Sequence, residues 1–239
     1  MVGIHLNRRT VLRGIGGGLT GAAVIGTATA QNASGDWRTY AYDAVNTGYN
    51  PNGATITTEV KRQWRFEPGT TIKAPPAVVG NTVYVSGVNG QVYAVTSDGN
   101  IQTYSIGDGE SDSSIPDKVE SIASAPAVVD GVLYAGSQSG RIHALDINND
   151  EQLWSFSTGG QIRSSPTVLD GQLFVGSLDG NLYAIDVVSG EQQWQYETGG
   201  PVVTTPAVFD GQVLFGSGDG TLYAVSATDG SEQWQYEVG

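Results

Sequence analysis

Short apolar runs separated by glycine-containing turns recur along this chain. In the clearest copy they predict strands over residues 164–169, 172–176, 181–186 and 191–197. The second and third strands are apolar on both faces, whereas the fourth alternates, with Trp194 and Tyr196 on the side opposite its glutamates. Asp170-Gly171 and Asp179-Gly180 predict tight type I′ hairpins. The pattern therefore predicts a four-stranded antiparallel meander with two buried central strands and a half-exposed last strand.

This meander repeats every 40 residues. An aromatic residue marks each copy, at Trp64, Tyr104, Trp154, Trp194 and Trp234. One period is longer because an acidic insert at about 107–121 interrupts the series. A fixed period of this size indicates units that bury their apolar faces by stacking. Four-stranded units predict an all-β fold, a β-propeller of antiparallel blades. The full blades are predicted at about 70–106, 122–159, 162–199 and 202–239.

A short motif ends each meander. Ala184, Asp186, Gly190 and Trp194 fit the pattern AxDxxxGxxxW. Two other copies keep most of it, at Ala144, Asp146 and Trp154 with Asp150 in place of glycine, and at Ala224, Gly230 and Trp234 with Ser226 in place of aspartate. The motif resembles the signature of PQQ-like (pyrroloquinoline-quinone-type) β-propeller repeats, found in quinoprotein dehydrogenases and in the outer-membrane assembly lipoprotein of bacteria. The resemblance implies that the tryptophans, with Trp64 in the same series, dock on neighbouring blades and have no catalytic part.

The chain has fewer blades than this resemblance implies. PQQ-like propellers have seven or eight blades, whereas here four full blades follow a lone outer strand at 60–67. We therefore expect an incomplete ring with an exposed face at each end, each of roughly 300 Å² and contributing on the order of 8 kcal/mol if buried. Three explanations stay open: the sequence is part of a longer chain, two copies pair into an eight-bladed ring, or four blades close on themselves.

The first thirty residues predict export. Residues 7–13, NRRTVLR, resemble a twin-arginine signal, and residues 14–30 are uncharged and end in small side chains. We predict a signal peptide over 1–30, a lead-in segment over 31–59, and an extracytoplasmic protein that is secreted or held at the cell surface.

The rest of the chain is strongly acidic. It carries all 24 aspartates and glutamates but only eight lysines and arginines, since three of the 11 basic residues lie in the signal segment. Such a surface repels phosphate backbones, which argues against a nucleic-acid partner. The composition is typical of halophilic proteins and predicts a haloarchaeal source. The absence of cysteine excludes disulfides and thiolate metal sites.

Few side chains offer reactive chemistry. Asp108, Glu110 and Asp112 in the insert could gather oxygen ligands for a hard cation such as calcium, although a solvated acidic loop is the ordinary interpretation. His143 stands where other copies have tyrosine, which indicates a packing position. Quinoprotein dehydrogenases carry adjacent cysteines and inward-facing acids that this sequence lacks. Neither the quinone nor calcium is therefore expected, and no catalytic or cofactor-binding residue is predicted.

These features favour a non-catalytic, exported scaffold that binds a protein or a cell-envelope component. A homodimer that completes the ring is compatible with this function. The alternatives are a quinoprotein-like dehydrogenase and a fragment of a larger propeller without independent function.

Overall fold

The computed structural model of the protein describes residues 64–107 and 121–238. The predicted signal peptide, the lead-in segment and the insert carboxylates Asp108, Glu110 and Asp112 lie outside these residues, as does the first half of the predicted strand at 60–67. Within the described ranges, no helix is long and apolar enough to cross a membrane.

Four antiparallel sheets of four strands each account for the regular structure. The strands of each sheet lie in chain order, so each sheet is a meander and forms one blade. Blades 1 and 2 contain β1 (Ala77–Val79), β2 (Thr82–Ser86), β3 (Gln91–Thr96) and β4 (Ile101–Ser105), then β5 (Ala127–Val129), β6 (Val132–Gly136), β7 (Arg141–Asp146) and β8 (Glu151–Ser157). Blades 3 and 4 contain β9 (Thr167–Leu169), β10 (Gln172–Gly176), β11 (Asn181–Asp186) and β12 (Gln192–Glu197), then β13 (Ala207–Phe209), β14 (Gln212–Gly216), β15 (Thr221–Ser226) and β16 (Glu232–Glu237). The predicted all-β, propeller-type fold is confirmed.

The hairpin turns are of two kinds. Between β9 and β10, Asp170 and Gly171 both have positive φ, 49° and 79°, as a type I′ turn requires. Between β10 and β11 only Gly180 has positive φ, so the predicted type I′ turn at Asp179-Gly180 is wrong. A three-residue loop forms there instead, closed by the Ser177 N–H and the Asn181 carbonyl at 3.0 Å. In this loop the side chain of Asp179 is free to act as an acceptor.

The innermost strand of blade 3 is shorter than predicted. β9 begins at Thr167, three residues later than the sequence pattern indicated. Pro166 has no N–H to give to a ladder. Before it, the Ser164 hydroxyl donates to the Thr204 carbonyl of the next blade at 2.9 Å. The residues ahead of the proline therefore connect blades instead of extending a sheet.

The apolar cores lie between blades. Along β11, Leu182 and Ala184 pack toward blade 4, whereas Tyr183 and Ile185 pack toward blade 2. Side chains alternate across a strand, so a strand between two neighbours must be apolar on both faces. This explains the continuous apolar run at 182–185.

The two ends of the row of blades differ. At the first blade Tyr93 and Val95 are buried, although no blade precedes them in the described residues. Phe66 lies on Tyr93 with ring centroids 5.2 Å apart, much as Phe156 lies on Tyr183 at 5.6 Å. Residues 64–67 pair with no strand in the described chain, yet Phe66 occupies the position of a preceding outer strand. The face that was predicted to be exposed is therefore partly covered at the first blade, where Val83 and Val85 beside Tyr93 and Val95 stay half-buried.

Candidate functional site

Two of the motif tryptophans donate a hydrogen bond to the backbone of the following blade. Trp154 Nε1 donates to the Val187 carbonyl at 2.9 Å, and Trp194 Nε1 donates to the Ala227 carbonyl at 3.0 Å. Each acceptor lies 33 residues after its tryptophan. An indole in this position buries a large apolar area and still satisfies its N–H. These tryptophans are therefore connectors between blades.

The motif glycines complete the same contacts from the other side. A Cβ at Gly190 would lie 2.7 Å from the Trp154 ring, and one at Gly230 would lie 2.7 Å from the Trp194 ring. The glycine of one copy therefore accommodates the tryptophan of the preceding copy. In blade 2 this position is Asp150. Burial, followed by the charge of Tyr84 and then that of Asp150, raises the pKa of Tyr104 in blade 1 to about 12. A glycine therefore occurs where the preceding blade supplies a tryptophan, and the larger Asp150 occurs where the preceding blade supplies the smaller Tyr104.

Tyr104 reaches the next blade from a different register. In blade 3 Trp194 is paired with Ala184, whereas in blade 1 Gln102 is paired with Ala94. Tyr104 is paired with Val92, which is the register of Tyr196 in blade 3. Its hydroxyl nevertheless donates to the Ile147 carbonyl at 3.1 Å. Tyr104 therefore makes the hydrogen bond of a motif tryptophan without occupying its place in the sheet.

The motif aspartates hold turns. The Asp186 carboxylate accepts the N–H groups of Val188 and Ser189 at 2.9 and 2.8 Å, and Asp146 accepts that of Asn148 at 2.8 Å. The backbone bond from Ser189, followed by that from Val188, keeps the pKa of Asp186 below its usual value. Carboxylates engaged in this way stabilise turns.

A second pair of aspartates joins neighbouring blades. Asp179 accepts the N–H of Gly159 and the hydroxyl of Tyr183, both at 2.7 Å. Asp219 repeats this arrangement one period later, with Gly199 and Tyr223 at 2.8 Å. Burial raises the pKa of Asp179, but the bonds from Tyr183, Asn181 and Gly159 outweigh it, so the pKa lies below its usual value. Burial, followed by the bond to Asp179, raises the pKa of Tyr183 to about 12. Sequence reasoning missed this contact because its members are 20 residues apart.

In residues 64–107 and 121–238, no blade covers the face of blade 4 that corresponds to the face by which blades 1 to 3 contact a neighbour. Trp234 is 39% exposed, against 8% for its counterpart Trp194, and its Nε1 donates to Gln212 of its own blade at 3.3 Å. Phe209, Tyr236 and Val238 on the same face are more than 60% exposed. We call these four residues the terminal face. It is an exposed aromatic and aliphatic surface.

A cavity of about 400 Å³ lies at the inner edges of the blades. Equivalent segments ahead of β1, β5, β9 and β13 line it, through residues 73–75, 123, 125, 163, 165 and 203–205. We call it the axial cavity. Its described lining includes the side chains of Lys73 and Arg163 and no carboxylate. A hard cation prefers oxygen ligands, several of them carboxylates, so this lining does not fit calcium.

Other predicted positions lie apart from both surfaces. Trp64 is 38% exposed at the start of the described chain. His143 is fully buried in β7, with Nδ1 2.9 Å from the Gln152 side-chain oxygen. In residues 64–107 and 121–238, no group of three or more acidic or histidine side chains is placed to hold a metal. The insert candidates Asp108, Glu110 and Asp112 lie outside these residues.

The sequence and the fold are similar to those of known proteins. The sequence model described as "Outer membrane protein assembly factor BamB" matches residues 97–239. BamB from Moraxella catarrhalis is 23% identical with a TM-score of 0.59, over 73% of this chain and 51% of that one. Quinohemoprotein alcohol dehydrogenase from Comamonas testosteroni is 19% identical with a TM-score of 0.70, over 85% of this chain and 41% of that one.

A computationally designed protein, Ika4, is 17% identical with a TM-score of 0.59, over 70% of this chain and 99% of that one. No curated protein matches the sequence. At these identities the solved structures support the fold alone. The chain spans about half the length of the Moraxella protein and less than half that of the dehydrogenase.

Proposed function

Because the chain belongs to the family described as outer membrane protein assembly factor BamB, we propose that it is a non-catalytic, exported scaffold that binds a protein or cell-envelope partner through the terminal face. One observation carries this proposal. Trp234 is 39% exposed, although the same residue of blade 3 is buried against a neighbour. Exposed apolar side chains that share one face of a sheet often mark an interaction site. Aromatic residues contribute most of the energy at protein interfaces.

We favour a different protein, and not a second copy of this chain, as the partner at the terminal face. To continue the row of blades, a second copy would have to offer the outer face of its first blade to the terminal face. Phe66 already covers Tyr93 on that face, and Val95 beside it is buried. Ring completion by a homodimer would therefore require residues 64–67 to be displaced. A different protein meets no such obstacle.

Site-specific crosslinking tests the proposal. A photoreactive phenylalanine analogue is placed at Tyr236 of the exported protein in its native host, and the adducts are identified by mass spectrometry. Leu153, half exposed on the outer strand of blade 2, is the matched control. We expect one defined partner at position 236 and none at 153. Equal labelling at both positions would contradict the proposal, and an adduct between two copies would establish the homodimer instead.

The rival function is a quinoprotein-like dehydrogenase. It is favoured by the TM-score of 0.70 to the Comamonas enzyme, which reports the fold. The described lining of the axial cavity contains no carboxylate to hold calcium, which supports the non-catalytic scaffold over the dehydrogenase. Incubation of the purified protein with pyrroloquinoline quinone and calcium, followed by a dye-linked alcohol oxidation assay, separates the two. Saturable oxidation would overturn the scaffold.

A further inference from the structure

The axial cavity has a charge opposite to that of the protein around it. The whole chain has a formal net charge of −13, and only eight basic residues lie beyond the first thirty. Two of them, Lys73 and Arg163, line this one cavity, and its described lining contains no carboxylate. A small cavity with one sign of charge concentrates counter-ions of the other sign. The contrast with the acidic surface points to an anionic ligand.

The two cations occupy one repeat position in two different blades. Lys73 and Arg163 lie three residues ahead of Pro76 and Pro166, the prolines that precede β1 and β9. Alanine and valine hold this position in blades 2 and 4. The cations therefore come from blades 1 and 3, on either side of blade 2. A ligand between them would meet positive charge from two directions.

Neither cation is paired with a carboxylate in the part of the chain that the structure describes. Both side chains are exposed and form no ion pair there. The hydrogen bond of Arg163 within those residues is to the neutral side chain of Gln161, at 3.2 Å. A guanidinium has five N–H donors arranged to suit carboxylates and phosphates, and most of them stay available for a ligand.

Ser165 adds a buried donor to the same cavity. It is 6% exposed, and its Oγ accepts the N–H of Ala125 at 3.0 Å. Within the described chain this hydroxyl donates no hydrogen bond in return. A buried polar group is usually satisfied, so a hydroxyl of the cavity lining that donates no bond within the described chain suits a ligand oxygen. Blade 4 contributes a further hydroxyl at Thr205.

We propose that the axial cavity binds a small polyvalent oxyanion, with Lys73 and Arg163 as charge partners and Ser165 as a hydrogen-bond donor. The volume of about 400 Å³ lies in the range of small-molecule sites and admits sulfate or a tricarboxylate the size of citrate. Multiple charge is required because a polyvalent ion interacts with both cations at once, which offsets the repulsion from the acidic surface. The axial cavity is separate from the terminal face. Anion binding in the cavity is therefore independent of partner binding at the terminal face.

Isothermal titration of the purified full chain with citrate and, separately, with sulfate tests the site at constant ionic strength in potassium chloride. We expect saturable binding of at least one of them with one site per chain, and at least tenfold weaker binding in Lys73→Gln and in Arg163→Gln. Arg65→Gln removes the same charge outside the cavity, from a residue paired with Glu67 at 2.6 Å, and should bind as the wild type does. Binding of sulfate alone indicates an inorganic ligand, and preference for citrate indicates an organic acid.

Two results would overturn the proposal. One is the absence of saturable binding with both anions, and the other is equal loss of affinity in all three variants, which would mean that only overall charge matters. The amide resonances of Ser165 and Thr205 in the wild-type protein provide a measurement that needs no variant. They should shift on titration with the bound anion, while those of the exposed turn at Asp170 should not.

Discussion

Gly230 of blade 4 lies against the indole of Trp194 of blade 3, so closely that a Cβ at residue 230 would be 2.7 Å from the ring. The residue also has a φ of 72°, which side-chain-bearing residues rarely adopt. Gly211 shares this backbone conformation, with φ 71°, but nothing lies within 4 Å of its Cβ position. The two glycines therefore separate the effect of backbone strain from that of the contact between blades.

Gly230→Ala should destabilise the protein more than Gly211→Ala. Strain at positive φ costs about 1 kcal/mol or more in both variants, and forcing a methyl group into a packed contact adds about 1–3 kcal/mol at position 230. Urea unfolding followed by circular dichroism measures both losses. Equal losses in the two variants would mean that the indole moves away without cost.

Trp194→Phe and Trp234→Phe should differ although the residues share one repeat position. The first variant loses the bond to the Ala227 carbonyl and part of a buried ring, at a cost of about 2 kcal/mol. Trp234 is exposed, so its replacement should change stability by no more than about 0.5 kcal/mol. The same unfolding experiment tests both. A large loss in Trp234→Phe would show that the terminal face is covered in solution.

Tyr104→Trp should destabilise the protein, although tryptophan is what the repeat has at this position elsewhere. Tyr104 is 3% exposed and lies in the register of Tyr196, so a larger indole would have to displace the side chains packed around it. Overpacking of this kind costs about 1–3 kcal/mol. Thermal unfolding of the variant measures the effect. Tyr104→Phe is the control, since it keeps the ring and removes the bond to Ile147, for a loss of about 1 kcal/mol. A stabilised tryptophan variant would contradict the register.

Asp179→Asn should remove a stabilising contribution that depends on pH. The folded pKa of Asp179 lies below its unfolded value, so the ionised carboxylate stabilises the protein above about pH 4 and this contribution is lost as the pH falls through the folded pKa. At pH 7 we expect the variant to be less stable by about 1–2 kcal/mol, because charged acceptors bind strongly but this one is partly solvated. Below the folded pKa of Asp179 the two proteins should converge.

Urea midpoints measured from pH 2.5 to pH 8 give this comparison. Asp170→Asn, in an exposed turn of the same blade, removes the same charge without a contact between blades. A pH-independent difference between Asp179→Asn and wild type, or an equal response in the Asp170 variant, would argue against the carboxylate at position 179 as an interblade contact.

Much of one blade could be predicted from sequence because its order is local. The central strands at 172–176 and 181–186 have the predicted bounds. Each apolar run lies within a few residues of the turn that bounds it, so the sequence alone shows both. Pro166 also limits β9 through a local property, its missing N–H. The apolar pattern alone did not show this limit, so the predicted strand began three residues too early. The axial cavity could be anticipated only in part, because Lys73 and Arg163 stand out as cations in an acidic chain but lie 90 residues apart.

The sequence by itself determined the repeat, the four-stranded meander and the family, because period, strand alternation and motif spacing are properties of neighbouring residues. Only the tertiary structure decided how copies meet. It placed Gly230 under the Trp194 of a different copy, moved Tyr104 out of the tryptophan register, and left Trp234 exposed while Tyr93 is covered. Copies that are nearly identical in sequence differ in this way because burial depends on what lies on the adjacent face, and no residue within a copy encodes its neighbour.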